Sequence, residues 1–97
     1  MTFFAERKFT LRSDEEVVLR LYKPQPAAMD WQCEMELRWP DRQSRRAFFG
    51  IDGVQALFIA MQLAHAELLA SPEYAAGELS WLGATSLGLP ALDAPSA

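Results

Sequence analysis

The sequence predicts an α+β fold of two layers, a four- to five-stranded antiparallel sheet packed on one long helix in the order β-β-β-β-α-(β). Three observations predict it. Between Phe3 and Phe49 apolar and polar residues alternate with the two-residue period of half-buried strands. From about Gly53 to Ala70 the pattern lengthens to a helical period, entered through Asp52 and stopped by Ser71-Pro72. Beyond Gly77, the segment Leu79-Ser80-Trp81-Leu82 reads as extended again.

The strands follow in order. From Phe3 to Arg12, Ala5, Arg7, Phe9 and Leu11 point one way, and Glu6, Lys8, Thr10 and Arg12 the other. Ser13-Asp14-Glu15 is a polar turn. Glu16 to Lys23 resumes with Val17, Leu19 and Leu21 inward and Val18, Arg20 and Tyr22 outward, until Pro24 and Pro26 open a loop reaching Asp30. Trp31 to Trp39 carries the clearest alternation, with Trp31, Cys33, Met35, Leu37 and Trp39 against Gln32, Glu34, Glu36 and Arg38. Pro40 to Gln43 reads as a hairpin turn. Ser44 to Phe49 makes a fourth strand whose two faces the adjacent Phe48 and Phe49 leave unassigned. On the helix, Val54, Leu57, Phe58, Met61, His65 and Leu68 share one stripe, which predicts the core face. Ile59 and Leu63 fall on the other side, beside Ala56 and Ala60, and need a cover: the 79–82 segment or another chain. A helical turn over Glu73–Ala76 is expected, then irregular chain marked by Gly83, Gly88 and Pro90. Residues 1–90 are expected to form one domain and 91–97 a disordered tail.

Composition narrows the function classes. A chain of 97 residues, 51% hydrophobic, supports a single core without staples, since about two-thirds of its unfolded surface is hidden on folding. Cys33 is the one cysteine, so no internal disulfide forms. With no secretory pattern before Glu6-Arg7-Lys8 and no membrane-spanning apolar run, the expected location is the cytoplasm. All nine Lys and Arg lie between Arg7 and Arg46, and from Ala47 onward only acidic charges occur, which leaves a net charge of −4. A helix without a cation is poorly suited to a phosphate backbone, so nucleic acid is not an expected partner, and neither is a membrane.

No constellation for catalysis is evident, and no cofactor or metal is expected. His65 is the sole histidine and Cys33 the sole cysteine, too few for a His/Cys metal site; a boundary histidine and an inert buried thiol are the simpler expectations. His65 would also mark the place of a ligand pocket between helix and sheet. Glu34 and Glu36 share the outward face about 7 Å apart by the strand rise, a spacing that could suit paired carboxylates. Arg38 on that face and basic residues on neighbouring strands make cross-strand charge pairing the simpler account. Arg38, Arg42, Arg45 and Arg46 read as a solvated hairpin. Tyr22, Trp39 and Phe48 are candidate exposed aromatics, and with Ile59 and Leu63 they make up the candidate interface.

Several stretches together resemble a known family: Ala5-Glu6-Arg7-Lys8-Phe9-Thr10-Leu11, Asp30-Trp31-Gln32-Cys33, Gly50-Ile51-Asp52-Gly53-Val54-Gln55-Ala56-Leu57, Leu79-Ser80-Trp81-Leu82-Gly83 and Gly88-Leu89-Pro90. They look like a family of small bacterial proteins described only as a domain of unknown function. The resemblance runs from about Ala5 to Pro90. Its most specific pieces are the Gly-x-Asp-x-x-Gln-Ala-Leu helix entrance and the Leu-x-Trp-x-Gly near the C-terminus. No activity comes with it. Families of this size and kind often include immunity proteins, so the resemblance implies a non-enzymatic, protein-binding domain of immunity or regulatory type. Its expected partner is another protein, with a toxin or a basic surface in view, or a second copy in a homodimer through the helix.

Overall fold

The computed structural model describes residues 3–91. Four long strands are present: β1 (Phe3–Leu11), β2 (Glu15–Tyr22), β4 (Trp31–Arg38) and β5 (Gln43–Gly50). Two short ones join them, β3 (Gln25–Pro26) and β6 (Leu79–Ser80), with the helices α1 (Gly53–Leu69) and α2 (Pro72–Ala75) between β5 and β6. All pairings are antiparallel, and the strands lie across the sheet as β6-β1-β2-β4-β5. The stretch read as a loop after Pro24 is in part a strand: β3 resumes along β4, with Gln25 opposite Gln32, where β2 leaves off. Expectations for the tail at 92–97 lie outside the described residues.

The inward rows of the strands form the core as the alternation predicts. Phe9, Leu11, Val17, Leu19, Cys33, Met35 and Leu37 are essentially inaccessible. Each large apolar side chain buried here contributes about 1.5–3 kcal/mol. β5 resolves the Phe48–Phe49 ambiguity: Phe48 lies opposite Cys33 on the helix side, and Phe49 opposite Gln32 is exposed.

The helix is the main correction. Its buried residues are Ala56, Ala60, Ala64 and Leu68, a stripe of four-residue spacing that shares Leu68 alone with the predicted one. Val54 is 78% exposed and Phe58 44%, while Leu57, Met61 and His65 are half-buried on the flank. The sheet already supplies large side chains, and a small-residue row lets α1 settle between them over β4 and β5. Ile59 and Leu63 are half-buried on the flank toward β5. The 79–82 segment does not cover them: Leu79 and Ser80 pair with β1 at the other edge of the sheet.

The half of the sheet that α1 leaves open, over β1 and β2, is closed by irregular chain. Leu87 is buried and Leu89 packs against the core. This strap is held by side-chain donors: Arg7 Nη1 donates to the carbonyls of Leu87 at 3.1 Å and Gly88 at 2.8 Å, Gln62 Nε2 to Ala91 at 2.9 Å, and Tyr74 Oη to Thr85 at 3.1 Å. The Arg7 guanidinium also stacks 3.8 Å above Trp81. Gly88 has φ +69°, and a methyl there would overlap the Trp81 indole, so this position needs glycine.

Candidate functional site

The helix entrance organises one end of the molecule. Gly50 ends β5 where a side chain would strike the backbone of Gln55 and Ala56. Asp52 caps α1 through Gln55 N–H at 2.8 Å, and Gln55 Oε1 reaches back to accept Ile51 N–H at 2.7 Å. The cap of acid and amide is therefore reciprocal. Gly53 follows, and a β-carbon there would lie 3.4 Å from Pro24 and from the Trp31 ring, so its absence sets the first turn against both. The register slips between Phe3 and Ala5, since Phe3 faces Tyr22 while Ala5 faces Leu21. Phe4 is the extra residue of this bulge, 52% exposed.

Phe4, Pro24, Trp31, Val54 and Leu57 thereby line an open depression of about 450 Å³, with Lys23 and Asp52 also in its lining. Ile51, 80% exposed, stands beside the cap, and Phe58 continues the apolar surface one turn along α1. The lining is apolar and shallow, suited to receiving apolar side chains. The sequence reading missed this end. Phe3-Phe4 interrupting strict alternation was the available signal for the bulge, and the exposure of Val54 depended on how the helix rolls.

The predicted interface residues separate. Phe48 and Leu63 come together with Ala66 in a groove of about 370 Å³ between α1 and β5, on the flank that Ile59 shares. Tyr22 and Trp39 are not exposed aromatics: they are 6% and 7% accessible. Tyr22 lies on the far face of the sheet under Arg45, and Trp39 packs into the core under Arg42, whose guanidinium sits 3.9 Å above its ring. Long arginine side chains cover both rings.

His65 meets the strap. Its Nδ1 lies 3.1 Å from the Pro90 carbonyl, which can only accept, so Nδ1 carries the hydrogen. The cavity of about 190 Å³ under the strap is lined by Ala5, Glu6, Arg7, Leu19, Leu21, Met61 and Leu89, without His65.

The carboxylates of the outward face are held by their neighbours. Glu36 is 3% exposed: its Oε1 accepts from Tyr22 Oη at 3.3 Å and pairs with Arg38 at 3.4 Å, and its Oε2 accepts from Gln43 at 2.6 Å. Arg45 bonds Glu34 at 2.8 Å, and Arg20 bonds Glu6 at 2.9 Å. The arginine cluster is solvent-exposed, as expected of the hairpin, and each of its members also pairs with a carboxylate. Arg46 reaches Glu67 at 3.4 Å, and Arg42 grips Glu73 with two bonds of 2.8 and 3.0 Å. Those bonds hold the Glu73 carboxyl below its ordinary pKa. Burial, with the nearby Glu34 charge adding to it, pushes the Cys33 thiol up to about 11, so it is a protonated, inert thiol at neutral pH. Among the described residues, no three His, Cys, Asp or Glu side chains stand together to hold a metal ion, and no helix is long and apolar enough to cross a membrane.

Fold and site define a small open-faced α+β domain, one antiparallel sheet with a single main helix on it. Residues 5–91 match the domain of unknown function DUF6968, and the chain belongs to that family. No match is found among curated proteins or among solved structures.

Proposed function

We propose that this domain is a non-enzymatic binding module that docks another protein on the apolar end formed by Phe4, Trp31, Val54 and Leu57. The observation that carries the reading is the exposure there of Phe4 and Val54 with Ile51 around one apolar depression. Exposed apolar clusters are costly in water and mark places where a partner completes the burial. The partner presents one or two apolar anchor side chains, and the chain's net charge of −4 favours basic surroundings on that partner. An immunity-type or a regulatory protein would both act this way, by occupying a partner's surface. A lone cysteine kept as a buried thiol suits a reducing compartment, and the cytoplasm is the proposed setting.

The test compares tagged full-length protein with Val54→Asp in parallel captures from the native host. Val54 is 78% exposed, so the variant should fold, which a circular-dichroism melt verifies. A protein retained stoichiometrically by the wild type and lost by the variant supports the reading. Equal retention of every captured protein by both would overturn it.

A further inference from the structure

We infer that the gap between α1 and the β1–β2 half of the sheet is a binding gutter for a medium-chain fatty carboxylate. Its acyl chain runs inward from the apolar end, and its head group stays at Lys23. This goes beyond protein docking at that end: the mouth is shared, the inner part is not.

The two cavities over this half have the same three walls in the same order. At the outer one β1 contributes Phe4, the end of β2 leads to Lys23, and α1 contributes Val54 and Leu57. At the inner one β1 contributes Ala5 and Arg7, β2 contributes Leu21 and Leu19, and α1 contributes Met61. Ala5 lies opposite Leu21 and Arg7 opposite Leu19, so the strand walls advance together. Leu57 and Met61 are neighbours one turn apart on the same side of the helix. The volumes of about 450 and 190 Å³ are therefore successive stretches of one gutter. It exists because the alanine row seats α1 over β4 and β5 and leaves this flank without a helix.

Length, lining and charge select the occupant. From Phe4 to Arg7 the floor runs about 10 Å by the strand rise, and Val54 to Met61 spans about the same by the helical rise. A straight chain of roughly eight to ten carbons fits that length. The two charged residues of the inner lining are already paired, Arg7 with the strap carbonyls and Glu6 with Arg20, and the rest is apolar under Leu89. The mouth differs. Among the described residues Lys23 makes no ion pair, whereas Asp52 is turned onto the Gln55 N–H at the helix cap. An apolar chain ending in an anion meets both demands. A docked protein meets only the first stretch, because apolar side chains are shorter than the gutter.

The test titrates the purified full chain, without any partner, by calorimetry. The probes are straight-chain carboxylates from butanoate to tetradecanoate, kept below their micelle concentrations. Affinity should tighten about threefold for each added methylene and level off near ten carbons, where the chain meets Arg7 and the strap. Ala5→Leu fills the inner stretch and should bring the levelling down to about six carbons while leaving the mouth open. Lys23→Gln should weaken decanoate about threefold and leave decanol unchanged. A circular-dichroism melt verifies that both variants fold, and the wild-type series stands without them. The proposal is overturned by absence of binding at every length, by affinity that climbs with length and never levels, by an Ala5→Leu series identical to wild type, or by decanoate binding indifferent to Lys23→Gln. None of these outcomes bears on protein capture, which compares wild type with Val54→Asp for a retained partner.

Discussion

The two halves of the sheet are closed by different physics. Over β4 and β5 the cover is a regular helix, whose backbone bonds are internal and whose contact row is Ala56, Ala60, Ala64 and Leu68. Over β1 and β2 the cover is irregular chain that cannot satisfy its own carbonyls, so the sheet and helix supply the donors: Arg7, Gln62, His65 and Tyr74 each bond a carbonyl between Thr85 and Ala91. The helix side is specified by volume and the strap side by a few long polar side chains. The first should fail chiefly on overpacking; the second should also fail when one of its donors is removed.

Several substitutions would break or sharpen that contrast. Ala60→Leu puts extra methylenes where none fit and should cost about 3 kcal/mol in urea unfolding. Because Cys33 lies in the core cluster with Ala60, its labelling by a thiol reagent should accelerate in this variant. Gly88→Ala should cost about 2 kcal/mol, combining a positive φ with a methyl against Trp81, and should leave Cys33 labelling near the wild-type rate. Faster Cys33 labelling in Gly88→Ala than in Ala60→Leu would show that the halves open together. Arg7→Met keeps the stem but removes two bonds to the strap, and should cost about 1.5 kcal/mol while raising amide exchange around Leu87.

The smallest effect is expected at the seam, where Arg42 of the hairpin meets Glu73 of α2. The Glu73 pKa is lowered in the folded state, so its stabilisation is complete above the unfolded carboxyl pKa of about 4.3 and is lost as pH falls through the folded value. Arg42→Ala should lower stability by no more than about 1 kcal/mol at neutral pH, and the gap from wild type should close in acid. A gap that persists at pH values below the folded pKa would assign the effect to the lost stacking on Trp39 instead.

Local periodicity carried the fold class. The strict alternation of Trp31–Trp39 and of Phe9–Leu11 with Val17–Leu21 identified the inward rows, because a strand's two faces are set by its backbone alone. The cap was legible for the same reason: Asp52 and Gln55 act within four residues of each other. What the stripe rule missed was the roll of α1. Counting large apolar residues favours Val54 and Phe58, but the face that docks is the one whose shape fits the sheet, and that face is small. Tyr22 and Trp39 were misplaced because their cover comes from Arg45 and Arg42, brought near by the hairpin and by no local pattern.

The sequence alone determined a four-strand-plus-helix α+β domain, its inward strand residues and its capped helix entrance, since each depends on neighbours within a turn or a pleat. Only the tertiary structure decided which helix row is buried, that residues 85–91 close the β1–β2 half, and that Phe4 and Val54 share an apolar end. Those outcomes follow from the complementarity of surfaces that meet only after the strands have paired, and no period within the chain encodes it.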